Sequence, residues 1–388
     1  MKHYRSKIEK LIAELCPEGV EFRELNNVAE RNQGFGITAA QMKELHREGG
    51  EVRIFAGGNT VADIGYEDIP KKNVIIKPSI VVKSRGYIGF AFYDKPFSHK
   101  SELWSYTVTD SQVSLRFVYY YLLTQVGALQ RKARATSVKI PQLSVNDTDS
   151  LKIPIPPLPV QEEIVRILDN FTELEAELEA ELEARKKQYE HYREELLTFG
   201  DDVEWKELGE VCLSISAGGD LPKKYSKGQK APSHEFPYPV FSNGTEDKAL
   251  YGYSDEYRID HEAVTISARG TIGYHTIRQP KFTPIVRLLV LIPDDEKICA
   301  KFLNHVLSVT MIGHSGGSIP QLTVPNVKRI RIPLPDIDEQ NRISDILDKF
   351  DALTNDISAG LPAEIKARRQ QYEHYRNQLL TFKEYAGK

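Results

Sequence analysis

The residues best suited to chemistry in this chain are cations set beside glycines. Lys83, Ser84 and Arg85 lead into the turn Arg85-Gly86-Tyr87-Ile88-Gly89, and Arg269 holds the matching place in Arg269-Gly270-Thr271-Ile272-Gly273. The stretch from Gln130 to Lys139 adds Arg131, Lys132, Arg134, Ser137 and Lys139; its counterpart at 314–318 is glycine-rich, uncharged and contains Ser315. Lys223 and Lys224 open a further basic loop. The chemistry open to these sets is recognition. A cation at a glycine turn reaches a phosphate oxygen or a guanine edge, and a glycine-rich loop lets backbone approach a ligand closely. Residue types alone leave the other reading open for each set, a solvated charge on an exposed loop.

Nothing points to catalysis by this chain. No glycine-rich cofactor loop follows a strand, and no Asp/Asn-Pro-Pro-aromatic tetrapeptide occurs. Gly34-Phe35-Gly36 lacks the third glycine in register and reads as a plain turn. There is no phosphate-binding loop with its lysine, and the ten histidines show no metal-ligand spacing. The histidines of the three His-Tyr-Arg triplets, at 3, 191 and 374, lie on helices between tyrosines and are expected to pack or to bridge helices. Cys16, Cys212 and Cys299 are unpaired in spacing and read as buried small apolar residues in a reducing, cytoplasmic protein. No apolar run reaches 18 residues, and the start, MKHYRSKIEKL, lacks the apolar centre of a signal peptide.

The net charge of −4 runs against phosphate binding, but its distribution matters more than its sum. Residues 161–199 carry 12 acids against 5 bases, whereas residues 20–152 carry 14 acids against 18 bases and residues 200–335 carry 16 of each. The globular parts are therefore neutral to basic, which permits phosphate contact. The acidity sits in one helix, where it would keep that helix off DNA.

What must position the cations is a plan written twice. QYEHYREELLTF at 188–199 returns as QYEHYRNQLLTF at 371–382. IPQL at 140–143 returns at 319–322, IPIP at 153–156 as IPLP at 332–335, and ILDNF at 167–171 as ILDKF at 346–350. Phe22-Arg23-Glu24-Leu25 answers Trp205-Lys206-Glu207-Leu208, and the two Arg-Gly turns answer each other. Matches in constant order mean a duplication, and divergence between them means one scaffold with two working surfaces. Each half reads as an α+β unit: strands over 73–93 and 262–277, a helix near 113–130 and another over 299–312. The amino-terminal triplet makes the layout circular, so the termini are expected to meet.

Four prolines between 154 and 159 cannot be helix or central strand and predict a stiff extended connector. A long helix follows, with apolar residues at Ile164, Leu168, Phe171, Leu174, Leu178, Leu182, Tyr189, Tyr192, Leu196 and Phe199, the spacing of a coiled-coil seam. About 40 residues make a rod of roughly 60 Å. Glu-Leu-Glu-Ala occurs three times in it, at 173–184. A second rod carries Ile343, Ile346, Phe350, Leu353, Ile357, Ile365, Tyr372, Tyr375, Leu379 and Phe382, and Ala359-Gly360-Leu361-Pro362 predicts a kink or restart within it. The two rods are expected to pair antiparallel.

These features together resemble the specificity subunit of type I restriction–modification enzymes, its IC-type branch in particular. The motifs that carry the resemblance are the paired QYEHYR–LLTF helix endings, the proline connectors and the tetrapeptide ladder. The resemblance spans essentially the whole chain and implies a fold of two globular α+β target recognition domains, in pseudo-twofold arrangement, separated by two long antiparallel coiled-coil helices. The implied division is an amino-terminal helix (1–19) completing the distal helical region, recognition domains over 20–152 and 200–335, a connector and central spacer helix over 153–199, and a distal spacer helix over 336–388. Each domain would read one half of a bipartite double-stranded DNA target. The helices, through Leu174, Leu178, Leu182, Tyr189, Tyr192, Tyr372 and Tyr375, would set the spacer and dock two methyltransferase subunits that use S-adenosylmethionine. Two motor-nuclease subunits, using ATP and Mg, would complete the restriction complex. The chain itself would have no active site, no metal and no cofactor. The tetrapeptide number would track spacer length, with three units at the longer end. The competing reading is a coiled-coil scaffold that organises partners and reads no bases.

Overall fold

The fold is described here from a computed structural model, over residues 6–135, 139–200, 202–310, 322–356 and 358–385. The chain forms two compact units, Met1–Leu178 with Ile365–Lys388, and Glu179–Glu364.

The first unit is built on an antiparallel sheet in the order Ala29–Gln33, Trp104–Val108, Ser79–Lys83, Gly89–Tyr93. Ser79–Lys83 is buried along nearly its whole length, as its β-branched run predicts. Ile80, Val82, Trp104 and Tyr106 point to one face and pack on the helix Leu115–Ala135 through Val118, Leu122 and Leu129. A smaller sheet, in the order Val61–Ile64, Val52–Phe55, Phe97–His99, contains one parallel pairing. A two-stranded ribbon, Glu21–Glu24 with Lys152–Ile155, closes the unit. The proline connector thus becomes an edge strand, where Pro154 needs no amide donor on its free side.

The second unit repeats the plan. Its antiparallel sheet runs Cys212–Ala217, Leu289–Pro293, Ala263–Ile266, His275–Arg278. A second sheet holds the parallel pair Tyr238–Phe241 with Thr283–Pro284. The ribbon is Glu204–Glu207 with Arg331–Leu334, and Trp205 faces Pro333 as Phe22 faces Pro154. The helix Ala300–Val309 covers the sheet with Phe302, Leu303 and Val306. The chain is α+β throughout.

The long helix is continuous from Leu158 to Leu196, and the boundary between the units falls within it. In the first unit its buried residues Val160, Ile164 and Leu168 meet Ile8 of the helix Lys7–Leu15 and Leu380. Phe171 lies against Tyr372 and Tyr375 of the helix Leu361–Leu379, with ring centroids 6.3 and 5.6 Å away, and Glu175 pairs with Arg369 at 2.5 Å. Rising numbers on one helix meet falling numbers on the other, so the pair is antiparallel. The two ends of the chain meet here: Val20 forms a bridge with Glu384, and its amide donates to the Lys383 carbonyl at 2.9 Å. His3, Tyr4 and Arg5 lie outside the described residues.

In the second unit Tyr189 and Tyr192 both pack on Phe350, at 6.2 and 5.4 Å, from the helix Ile337–Asn355. That helix ends at Asn355, and the next begins at Leu361. Asp356 accepts from the amides of Ser358 and Ala359, and a Cβ on Gly360 would stand 2.4 Å from the Ala352 carbonyl oxygen. Ile357 lies outside the described residues.

Two readings of the helices need correction. In each Leu-Leu-Thr-Phe ending the second leucine, Leu197 or Leu380, is the one fully in the core, because the helix stops at the first, Leu196 or Leu379, and the chain turns inward there. His191 and His374 are exposed, and their ring contacts, on Tyr192 at 5.7 Å and Tyr375 at 5.5 Å, are within a helix rather than between helices. In the two described triplets the arginine is engaged as well: Arg193 lies over Tyr189 and Arg376 over Tyr372, at 5.5 and 5.4 Å.

Candidate nucleic-acid interface

In the first unit the Arg-Gly turn joins two paired strands, with Lys83 opposite Gly89. Gly86 has φ +79, a conformation that glycine adopts without steric cost. IPQL straps the turn: the Leu143 amide donates to the Ser84 carbonyl at 2.9 Å, and the Gly86 amide to the Pro141 carbonyl at 2.8 Å. Leu143 is buried, which anchors the strap. Arg85 and Tyr87 are left exposed at the tip, whereas the Ser84 side chain is 1% exposed and donates to the Glu102 carbonyl. Ser84 therefore holds the turn from within and is closed to an outside ligand. Lys83 donates to Asn59 Oδ1 at 2.7 Å.

The basic run begins in the last turn of the helix Leu115–Ala135, which holds Lys132 and Arg134. Gln130 accepts from the Ile88 amide at 3.0 Å, which brings that helix end to the Arg-Gly turn. Arg131, Arg134 and Lys139 are exposed, and Lys132 pairs with Asp147 at 2.5 Å. Arg85, Arg131 and Arg134 thus belong to one region. Ser137 and Ser315 lie outside the described residues, as does Gln321.

The second unit repeats the leucine bond of the strap on a different surface. The Leu322 amide donates to the Ala268 carbonyl at 3.0 Å, and Leu322 is buried. Arg269 is exposed beyond it, with Gly270 at φ +74. Ser267 is buried and its hydroxyl donates to the Gly244 carbonyl. Lys223 and Lys224 are exposed just before the strand Tyr225–Lys227.

Arg287 shows no cue in the sequence, because Ile285-Val286-Arg287-Leu288 reads as more strand. The four residues instead form a tight turn, closed by the Leu288 amide on the Ile285 carbonyl at 3.1 Å. Val286 and Arg287 have φ of 53 and 59, the left-handed pair of a type I′ turn that Asn-Gly normally supplies. Holding L-residues there costs about 1–2 kcal/mol each, and a β-branched valine is a real outlier. The surroundings enforce it. The Val286 and Arg287 amides donate to the Gly219 and Gly218 carbonyls at 3.0 and 2.9 Å, and Gly218 donates back to Leu288 at 2.7 Å. A Cβ on Gly218 would lie 2.7 Å from the Pro284 carbonyl carbon, so glycine is required for this approach. The Asn243 carboxamide joins the two turns, accepting from the Ala268 amide at 2.8 Å and donating to the Val286 carbonyl at 2.6 Å. Between them lies a cleft of about 580 Å³, lined by Gly218, Gly219, Asp220, Arg269, Val286 and Arg287 among others.

Two duplicated residues fasten the working surfaces to the helices. Gln161 and Gln340 are fully buried and clip loops by the same bonds: one accepts from the Ser114 amide and donates to the Pro156 carbonyl, the other accepts from Cys299 and donates to Pro335. Asp169 takes Arg116 at 2.6 Å and the Tyr120 hydroxyl, both from the helix Leu115–Ala135. Burial first, and then this bond, push the Tyr120 hydroxyl well above the usual tyrosine range. Asp348 takes Lys301 at 2.7 Å and His305 at 2.8 Å from the helix Ala300–Val309. Burial alone would raise the Asp348 carboxyl, but these partners overcome it and hold the group below its ordinary range. The offset of the repeats could have paired these residues in advance.

Of the helix residues expected to serve spacing and partners, Tyr189, Tyr192, Tyr372 and Tyr375 make the ring contacts described above. Leu174, Leu178 and Leu182 are half-buried. Among the described residues no group of three His, Cys, Asp or Glu is arranged to hold a metal, and no helix is long and apolar enough to cross a membrane.

The family profile described as type I restriction modification DNA specificity domain matches the chain twice, over residues 17–184 and 200–367. The chain is 33% identical over 358 residues to the EcoR124I/EcoR124II type I restriction enzyme specificity subunit of Escherichia coli, covering 85% of each. It is 33% identical over 315 residues to a putative type I specificity subunit of Mycoplasma pneumoniae, covering 76% of this chain and 91% of that one. In fold it is similar to the crystal structure of a type I S subunit from M. genitalium, with a TM-score of 0.59 at 18% identity over 93% and 96% of the two chains.

Proposed function

The chain belongs to the type I restriction–modification DNA specificity family, as a non-catalytic DNA-recognition subunit, and from that premise we propose how its two units divide the reading. The domains over 20–152 and 200–335 each address one half of a bipartite duplex target. The first presents Arg85 with Arg131, Arg134 and Lys139, Lys83 standing behind them. The second presents Arg269 with Lys223 and Lys224. The single observation that carries this reading is one scaffold with two unlike tips: Leu143 and Leu322 strap equivalent turns, and what projects beyond the straps differs. A scaffold that reads no bases would have no use for tips that diverge on a repeated frame.

The helix over 158–196, carrying its tetrapeptide ladder, sets the spacer between half-sites and, with the helix over 361–379, offers the docking face for methyltransferase subunits. S-adenosylmethionine enters with those subunits, and ATP and Mg with two motor-nuclease subunits; two methyltransferases are needed to address two half-sites. The complex works in the cytoplasm. The test is sequencing of methylated bases in cells carrying the assembled complex. One bipartite motif is expected, and Arg85→Ala with Arg131→Ala should weaken or alter one half of it only. Methylation without a bipartite motif, or equal change in both halves, would refute the division.

A further inference from the structure

Resting on the reading of the second unit as a DNA-reading domain, we propose that the Val286–Arg287 turn, with Arg269 and Asp220, reads base edges in the major groove and is not a phosphate anchor. Four observations converge. The first is that the fold does not need the strain. The equivalent turn of the first unit runs from Lys100 to Leu103, is closed by the same type of bond at 2.9 Å, and is not left-handed at Ser101 or Glu102. A costly backbone kept in one unit and absent from the other belongs to what the units do differently.

The second is the chemistry of the cleft. Phosphate binding would be served by cations and amides alone. Here a carboxylate, Asp220, shares the cleft with Arg269 and Arg287, and Val286 lies 56% exposed beside them. A carboxylate repels phosphate, and an isopropyl group gains nothing from it. Each group does match a base edge in the major groove: guanidinium to guanine O6 and N7, carboxylate to the cytosine amino group, isopropyl to the thymine methyl. The minor groove presents no methyl and a degenerate pattern of acceptors, so the set fits only the wider groove.

The third is rigidity. Base readout needs donors held in place, and Arg287 is exposed while its backbone is clamped by Gly218. The fourth is coupling. One Asn243 carboxamide bonds both turns, so Arg269 and Arg287 project from a single framework and address neighbouring bases in fixed register.

The test uses the full chain assembled with its methyltransferase partner and a random-sequence duplex library. Wild type should select two half-sites. Arg287→Ala should cut discrimination at one or two positions of one half-site by roughly 5- to 150-fold, leaving the other half-site intact. To separate loss of the guanidinium from disturbance of the turn, a second variant, Val286→Asn with Arg287→Gly, installs the residues that type I′ turns favour. It should melt no lower than wild type and blur the same half-site. A uniform loss of affinity across all sequences, with the salt slope falling by about one, would make Arg287 a phosphate contact and overturn the proposal. Unchanged selection by both variants would also overturn it. If wild type selects no bipartite site, the underlying division of reading fails, and this proposal with it; a wild-type bipartite site with indifferent variants sinks the proposal alone.

Discussion

Deleting Glu177–Ala180 removes one of three identical Glu-Leu-Glu-Ala units from the middle of the long helix. The register of the helix survives, because Leu182 takes the place of Leu178 and the glutamates keep their solvent face. Four residues shorten the helix by about 6 Å and turn it by roughly 40°. The cost in stability is small. Along the chain the deleted segment lies between the cluster that includes Ile167, Leu168 and Tyr372 and the one that Tyr189 joins, and belongs to neither. The half-buried Leu178 loses packing worth about 1 kcal/mol. DNA rises about 3.4 Å per base pair, so the shortened helix corresponds to a spacer one or two base pairs shorter. Sequencing methylated bases in cells with the assembled complex should return both half-sites unchanged and the gap reduced. An unchanged gap with altered half-site bases would refute the assignment of spacing to this helix.

Leu322→Ala should cost the second unit about 2–5 kcal/mol, since Leu322 is buried and anchors the strap; thermal denaturation would show it, and an unshifted melting curve would refute the anchoring role of Leu322. Gly218→Ala forces a Cβ to 2.7 Å from backbone and should displace the Val286–Arg287 turn, degrading one half-site while the other stays intact. Burial holds His99 near pKa 4, well below an unfolded histidine. Below pH 6.5 the unfolded chain therefore takes up a proton that the folded unit refuses, and stability falls by about 3 kcal/mol as the pH drops to about 4. Chemical denaturation of His99→Gln across that range should show a flatter dependence than wild type, and an identical slope would assign the effect elsewhere.

Much of the architecture was legible in advance. The duplication, the seam of the long helix, the helix at 115–135 and the interruption near 360 are all written in local pattern: period, proline, glycine and repetition. So was the place of Arg85 and Arg269, because glycine marks the turn beside each. The candidate site was legible only in part. Ser84 looked like a contact and is a buried post, since a strand-end residue faces in or out according to what lies beneath it, here the Glu102 carbonyl. The exposed histidines and the buried second leucines show the same limit, because a seam drawn from spacing does not know where the helix stops turning against its partner.

By itself the amino-acid order determined a chain built twice, with α+β units, long paired helices and cations at glycine turns. Periodicity and turn propensity act over a few neighbouring residues, and those signals are strong here. Tertiary structure alone decided that Val286 and Arg287 leave the strand pattern and point a strained tip into the cleft. Their left-handed backbone is imposed by Gly218, Gly219 and Asn243, some 43 to 69 residues away along the chain. A conformation held against local preference by distant partners leaves no mark in the residues that adopt it.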